Sequence, residues 1–151
     1  SNGLSLARSV VEKYASYDEK LKNGSTIGQE LLKPTRIYHE SLHVAETCTI
    51  HGMCHITGGG LLNFRRLSSH GFRFTEPLAP LEIFSWIQET GNVSTLEMYR
   101  TFNMGIGMMV VVDEAKAQDI CHHFSAVGEK AYIIGEIRHK EEGAADVELL
   151  E

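Results

Sequence analysis

Apolar residues recur at helical spacing in several stretches of this 151-residue chain. In the first stretch, Ala7, Val10, Val11 and Tyr14 fall at i, i+3, i+4 and i+7, which predicts an amphipathic helix with one buried face. Similar spacing, bounded by proline or glycine, predicts further helices. The predicted helices cover residues 4–16, 27–32, 38–46, 81–90 and 94–102, with a last one through Ala117, Ile120, Cys121 and Phe124 that closes at Gly128.

Runs of apolar and β-branched residues predict strands between these helices. Residues 104–112 hold two glycines and then an almost unbroken apolar run, which is typical of a central strand buried on both faces. Helices alternate with strands without clean βαβ repeats, so the pattern predicts an α+β fold. We expect one mostly antiparallel or mixed sheet of four to six strands covered by helices. The predicted strands cover residues 50–56, 72–75, 104–112, 131–137 and 147–150.

The composition narrows the class of protein. A net charge of −6 without a cluster of lysines and arginines argues against a nucleic-acid partner. No apolar run approaches the roughly 20 residues of a membrane span, and no signal-peptide pattern opens the chain. Three cysteines without Cys-x-x-Cys spacing fit reduced thiols. We therefore expect one cytoplasmic domain with neither a nucleic-acid nor a membrane partner.

A glycine-rich turn is the strongest candidate for chemistry. Residues 55–60 read His-Ile-Thr-Gly-Gly-Gly, a short strand followed by a hydroxyl and three glycines. Such a turn exposes backbone amides, tolerates positive φ and lets a ligand approach the main chain. Leu61 and Leu62 suggest that a helix begins there, which would put the glycines at its positive end, where phosphate binds. The alternative is a plain strand-to-helix turn without a ligand.

Four histidines raise the question of a metal site. His39 and His43 lie four apart on one predicted helical face, and His51 and His55 share one face of the predicted strand. A metal pair lacks a third ligand at a defined spacing, so a solvated or packed face is favoured and no metal site is predicted.

Several strings together point to a known family. The longest, Arg100–Gly107, reads Arg-Thr-Phe-Asn-Met-Gly-Ile-Gly. On these strings the chain resembles the C-terminal domain of the aminoimidazole ribonucleotide synthetase family, the phosphoribosylformylglycinamidine cyclo-ligases of purine biosynthesis. The matching strings are residues 1–3 with Ser5 and Leu6, residues 34–38, 55–60, 91–93 and 97–107, and a tail through Gly128, Ala131 and Gly135.

This resemblance implies a domain organisation. Residues 1–151 would form the C-terminal domain, with the α+β architecture of that superfamily. Family members carry an N-terminal domain that forms the homodimer and holds much of the ATP site, together with a histidine directly before the Ser-Asn-Gly string. We expect that domain to be absent from this chain, which would fold alone without turning over substrate.

The resemblance also implies a reaction, the ATP-dependent ring closure of formylglycinamidine ribonucleotide to aminoimidazole ribonucleotide. The expected cofactors are ATP and Mg²⁺, both held mainly by the N-terminal domain. The protein would position two anionic ligands and stabilise the charge that develops between them.

Candidate site residues follow from the resemblance and from side-chain chemistry. The expected substrate- and phosphate-binding residues are Thr57, Gly58, Gly59, Gly60, Arg100 and Thr35. Among these, Arg100 also suits a helix C-terminus and Thr35 is the weakest candidate.

The expected catalytic residues are His55 and Asn103. His55 would hydrogen-bond the reacting amide or move a proton, although it also suits a structural position in the sheet. Asn103 would orient the substrate or, alternatively, cap the turn before Gly105.

Three other functions remain open. One is a sister ATP-dependent enzyme such as formylglycinamidine synthetase, against which the Arg100–Gly107 string argues. A second is a stand-alone nucleotide-binding or regulatory module. The third is a zinc protein that uses His39, His43, His51 and His55.

Overall fold

The computed structural model describes residues 2–76, 79–139 and 147–148. Within these ranges no helix is long and apolar enough to cross a membrane. The α-helices are α1 (Leu4–Tyr14), α2 (Ile27–Leu31), α3 (His39–Thr47), α4 (Glu82–Gly91), α5 (Thr95–Thr101) and α6 (Ala117–Ala126). The strands are β1 (Gly52–His55), β2 (Gly71–Phe74), β3 (Met108–Val111), β4 (Gly135–Arg138) and β5 (Val147–Glu148), and two 3-10 helices cover Gly60–Arg66 and Glu114–Lys116.

The predicted helices are present, with bounds that differ by a few residues. In α1 the residues Ala7, Val10 and Val11 are buried as expected, because they share one face. Tyr14 is 52% exposed, so its predicted place in the buried stripe is wrong. The helix ends at Tyr14, and Ala15 is already extended.

The chain divides into two compact units, each built from three separate stretches. Unit 1 comprises Ser1–Arg36, Ile56–Asn63 and Ala79–Gly107, of which Ser1 lies outside the described residues. Helices α1 and α4 pack together in its core. Gly91 of α4 lies so close to Val10 of α1 that a Cβ added to Gly91 would be 2.6 Å from Cγ2 of Val10. The buried core residues are Ala7, Val10, Val11, Leu21, Ile27, Ile83, Ile87, Met98, Phe102 and Met104.

Unit 2 comprises Ile37–His55, Phe64–Leu78 and Met108–Glu151, of which residues 77–78, 140–146 and 149–151 lie outside the described residues. Its described strands form two small sheets. Strands β1 and β3 pair antiparallel, with His55 opposite Met108. Strand β2 lies between β4, which is antiparallel to it, and β5, which is parallel. Helices α3 and α6 pack together through Val44, Ile120 and Phe124.

The α+β class is confirmed, but the single sheet of four to six strands is wrong. The described strands form one sheet of two and one of three. The predicted strand 104–112 is shortened because Met104 and Gly105 have φ of +53° and +94°, which a strand cannot contain. Only Met109 of β3 is buried, and among the described strands only β1 pairs with β3. Alternation predicts a strand but not its neighbours, which depend on contacts between distant residues. The predicted end of the last strand, residues 149–150, lies outside the described residues.

Candidate functional site

The glycine-rich stretch forms a β-turn in unit 1. The amide of Gly60 donates to the carbonyl of Thr57 at 2.9 Å and closes the turn. Gly59 has φ of +89°, whereas Gly58 is not among the residues with positive φ. This combination is the type II pattern, which requires glycine or asparagine at its third position. The sequence therefore adopts the turn geometry that its glycines permit.

The end of helix α5 lies against this turn. Gly60 has φ of +53°, and a Cβ placed on it would collide with the carbonyl oxygen of Tyr99 and lie 2.7 Å from that of Phe102. Only glycine fits so close to two backbone carbonyls. The packing joins the glycine turn to the segment that carries the Arg100–Gly107 string, so two of the strings that carry the family resemblance meet in unit 1.

Asn63 holds the turn in shape, although it is not among the site residues predicted from the sequence. Asn63 is only 6% exposed. Its Nδ2 donates to the carbonyls of Gly58 at 2.9 Å and Gly60 at 3.0 Å. A buried carboxamide is stable only when it is hydrogen-bonded. The signal in the sequence was a polar residue inside an apolar run just after the glycines.

Three amides of the turn remain available as donors. Those of Thr57, Gly58 and Gly59 hydrogen-bond to no acceptor in the part of the chain that the structure describes. The amide of Gly60 is occupied by Thr57, so it is not open to a ligand in this conformation. Gly59 is exposed, and Thr57 and Gly58 are half-buried, so a ligand can reach this edge.

Asn2 extends this edge of the turn. A Cβ on Gly58 would collide with Nδ2 of Asn2, which places the carboxamide of Asn2 directly beside the turn. Asn2 lies in one of the strings that carry the resemblance, but it is not among the predicted site residues. Its amide group adds a side-chain donor next to the three backbone donors.

Asn103 and Arg100 lie in the same unit as the glycine turn but differ in the contacts that their side chains make. Oδ1 of Asn103 accepts from the amide of Gly105 at 3.0 Å, and its carbonyl accepts from Ile106 at 2.9 Å. The side chain thus caps the turn before Gly105, which was the structural alternative for this residue. Arg100 is exposed in the last turn of α5 and makes no ion pair with a described residue.

The other two candidates are placed on different elements. His55 ends strand β1 in unit 2, is exposed, and its ring centroid lies 5.7 Å from that of Tyr38 at an interplanar angle of 64°. Thr35 is exposed in the stretch without regular secondary structure between α2 and α3, and it hydrogen-bonds to no described residue. Neither placement assigns these residues a chemical role.

The four histidines considered for zinc each contact a different neighbour. In the described ranges no three His, Cys, Asp or Glu side chains lie close enough to share a metal ion. The contacts are His39 with Glu40 at 3.4 Å, His43 with Glu46 at 3.8 Å, His51 with Asp113 at 2.8 Å, and the His55 ring with Tyr38.

Comparison with known proteins identifies the family. A family model described as "AIR synthase related protein, C-terminal domain" matches residues 1–148. Three curated relatives are named phosphoribosylformylglycinamidine cyclo-ligase. The one from Desulfotalea psychrophila is 49% identical over 146 residues, 91% of this chain and 41% of its own length. The one from Methanococcoides burtonii is 50% identical over 121 residues (78% and 36%), and the one from Methanopyrus kandleri is 43% identical over 145 (95% and 41%).

The chain spans about two fifths of the length of the curated relatives it matches. The family model nevertheless covers almost every residue of the chain itself, including the glycine turn, Asn63 and the Arg100–Gly107 string. The chain therefore belongs to the family of AIR synthase related protein C-terminal domains.

Proposed function

We propose that this chain is the C-terminal domain of a phosphoribosylformylglycinamidine cyclo-ligase, which closes formylglycinamidine ribonucleotide to aminoimidazole ribonucleotide in purine biosynthesis. The names of the relatives support this assignment. The structural observation that carries it is the type II turn of Thr57–Gly60, with three open amides, packed on the end of helix α5.

The proposed reaction removes an amide oxygen, which is a poor leaving group. The terminal phosphoryl group of ATP is transferred to this oxygen, giving ADP, and a nitrogen of the substrate then attacks the same carbon and expels phosphate. The protein contributes mainly by positioning the two anionic ligands and by stabilising charge. Backbone amides are suited to this task because they are fixed donors that need no reorganisation.

Within this domain, the amides of Thr57, Gly58 and Gly59 would bind phosphate oxygens, and Nδ2 of Asn2 would add a further donor. Arg100 would supply the compensating positive charge, because it is exposed and unpaired among the described residues. A phosphate carried by either ATP or the ribonucleotide has the chemistry that this set of donors fits.

His55 would transfer a proton during the reaction, and Asn103 would contact the substrate. His55 is accessible on β1, and its ring packs edge-on against Tyr38, which restricts its orientation. Asn103 already uses Oδ1 to cap its turn, so its contribution would be the Nδ2 group, which donates to no described residue. Thr35 stays a weaker proposal, as an exposed hydroxyl in the segment between α2 and α3.

The remaining parts of the proposal concern the complete enzyme. Residues 1–151 would act with an N-terminal domain that binds ATP and Mg²⁺ and forms a homodimer, in the cytoplasm. The greater length of the relatives supports a further domain. The N-terminal domain would hold the Mg²⁺, since no three His, Cys, Asp or Glu side chains among the described residues lie close enough to share a metal ion.

The test is an assay of the complete protein that carries this chain. We expect ATP-dependent formation of aminoimidazole ribonucleotide and ADP from formylglycinamidine ribonucleotide. The sister reaction, from formylglycinamide ribonucleotide and glutamine, should not occur. Activity only with the second substrate pair would refute the assignment. The 151-residue chain alone should unfold cooperatively on heating but should show no turnover in the same assay. Turnover at the rate of the complete enzyme would refute the proposal that an N-terminal domain is required.

A further inference from the structure

The direction of one peptide group decides what the glycine turn can bind. Type I and type II turns differ by a flip of the central peptide, here the one between Gly58 and Gly59. The carbonyl and the amide of a trans peptide point in opposite directions. One orientation therefore presents the amide of Gly59 to a ligand, and the other presents the carbonyl of Gly58.

The glycines themselves do not fix this direction. Glycine populates positive and negative φ almost equally, so Gly59 fits either turn type. A Cβ on Gly59 would find no atom closer than 3.8 Å, so side-chain packing around it does not decide the turn type either. Some other group must select the observed orientation.

Asn63 is that group. Its Nδ2 donates to the carbonyl of Gly58, the acceptor of the central peptide, and also to the carbonyl of Gly60. Two hydrogen bonds from one buried amide hold both carbonyls on the same side, and the amide of Gly59 then points the opposite way. The neighbouring Leu61 is also buried, so water does not compete easily for these carbonyls.

We infer that Asn63 is a positioning residue that sets the polarity of the turn and makes it a site for anions rather than cations. This inference rests on the proposed phosphate-binding role of the turn. It adds that the donor of Asn63, rather than the glycines alone, makes the role available.

The test replaces the donor without changing the size of the side chain. In Asn63→Asp a carboxylate would face the carbonyl of Gly58, and the two oxygens repel each other. The central peptide should flip, so that the amide of Gly59 bonds to the carboxylate. The matched control is Asn92→Asp, which makes the same change of charge at an exposed residue after helix α4 whose side chain has no partner among the described residues.

The 151-residue chain would be labelled with ¹⁵N and titrated with inorganic phosphate against a background of chloride. In the wild type and in Asn92→Asp, the amide resonances of Gly58 and Gly59 should shift with saturation. In Asn63→Asp phosphate affinity should fall roughly tenfold or more, because a charge-assisted hydrogen bond is lost. Thermal unfolding of each variant shows that the loss occurs in folded protein.

A second variant covers the case in which Asn63→Asp fails to fold. Asn63→Ala removes the donor to the carbonyls of Gly58 and Gly60 without adding a negative charge, so the orientation of the central peptide is no longer fixed and phosphate binding should again weaken. Unchanged phosphate affinity in a folded variant of either kind would overturn the inference while leaving the phosphate site intact. Absence of any phosphate-dependent shift in the wild type would instead refute the phosphate site, and the inference with it.

Discussion

The carboxylate of Glu82 accepts a hydrogen bond from the backbone amide of Asn23 at 2.9 Å, across 59 residues of sequence. Its other oxygen accepts from the amide of Lys22 at 2.5 Å. The first residue of helix α4 thus holds the polar loop between α1 and α2, where two successive backbone amides converge on one charge. This contact holds the loop in unit 1 together with Leu21, the loop residue that is buried in the core of that unit.

We expect Glu82→Gln to lower the free energy of unfolding by roughly 1.5–3 kcal/mol, the range for hydrogen bonds to a charged group. Glutamine keeps one acceptor oxygen but turns the other into a donor that faces an amide. Urea unfolding at neutral pH measures the change. The control is Glu89→Gln on the same helix, at an exposed position whose side chain has no partner among the described residues, and it should have little effect. Equal effects of the two variants would contradict the role of Glu82.

Glu30 should make stability depend on pH. Its side chain is 6% exposed and accepts hydrogen bonds from Nζ of Lys33 at 2.8 and 2.6 Å and from Nδ2 of Asn23 at 3.2 Å. The hydrogen bond from Lys33 is the largest cause that lowers the pKa of Glu30 below its ordinary value of 4.5, with further contributions from Ser25, the charge of Lys33 and Asn23, against the opposing effect of burial.

Because the pKa of Glu30 is lower in the folded state than in the unfolded state, its carboxylate stabilises the fold fully at pH values above 4.5. This contribution disappears as the pH falls through the pKa of the folded state. Glu30→Gln should therefore reduce stability by roughly 1 kcal/mol near neutral pH and approach the wild type in acid. Urea unfolding over a pH series measures the difference. Glu12→Gln, at an exposed position on α1, should track the wild type throughout. A difference for Glu30→Gln that does not change with pH would contradict the pKa shift.

Two glycines with positive φ should respond differently to alanine. Gly24 has φ of +86°, and a Cβ added to it would have no atom within 4 Å, so Gly24→Ala adds only backbone strain, about 1–2 kcal/mol. Gly60→Ala adds the collision with the carbonyls of Tyr99 and Phe102 and should cost about 3 kcal/mol or more. Thermal unfolding compares the two. Similar losses of stability would mean that helix α5 does not pack on the turn as described.

His55→Ala tests the proposed proton transfer in the complete enzyme. The side chain is exposed on β1, so its removal should leave the fold intact while lowering kcat by roughly 10²–10⁴-fold, as for a lost acid–base group. Steady-state kinetics and circular dichroism measure both effects. His43→Ala, at an exposed position on α3, serves as the control and should retain wild-type kcat. A folded His55→Ala enzyme with wild-type turnover would leave His55 with a structural role only.

The helices were largely predictable because their signals are local. The spacing of Ala7, Val10 and Val11 defines a buried face without reference to any other part of the chain. The sheets were not predictable to the same degree. Residues 104–107 are apolar enough to extend β3, but the positive φ of Met104 and Gly105 turns the chain away first. Strand pairing depends on partners many residues away.

The candidate site shows the same division. Three consecutive glycines predicted a turn with positive φ, and Gly59 and Gly60 have it. The sequence did not predict which amides stay open, because the Gly60 amide closes the turn on Thr57. Nor did it predict Asn63, since a buried asparagine becomes recognisable only when the carbonyls it serves are located.

The division of each unit among three separate stretches has a consequence for folding kinetics. Unit 1 is incomplete until Gly107 has been synthesised, and unit 2 uses residues on both sides of that point. Many contacts must therefore form between segments far apart in the chain, and the entropy of closing those long loops is lost before the contacts compensate for it. Such a chain should fold slowly for its length and largely after synthesis. A single cut within the segment Phe64–Leu78 would leave unit 1 and unit 2 each distributed over both pieces, so neither piece could fold either unit without the other.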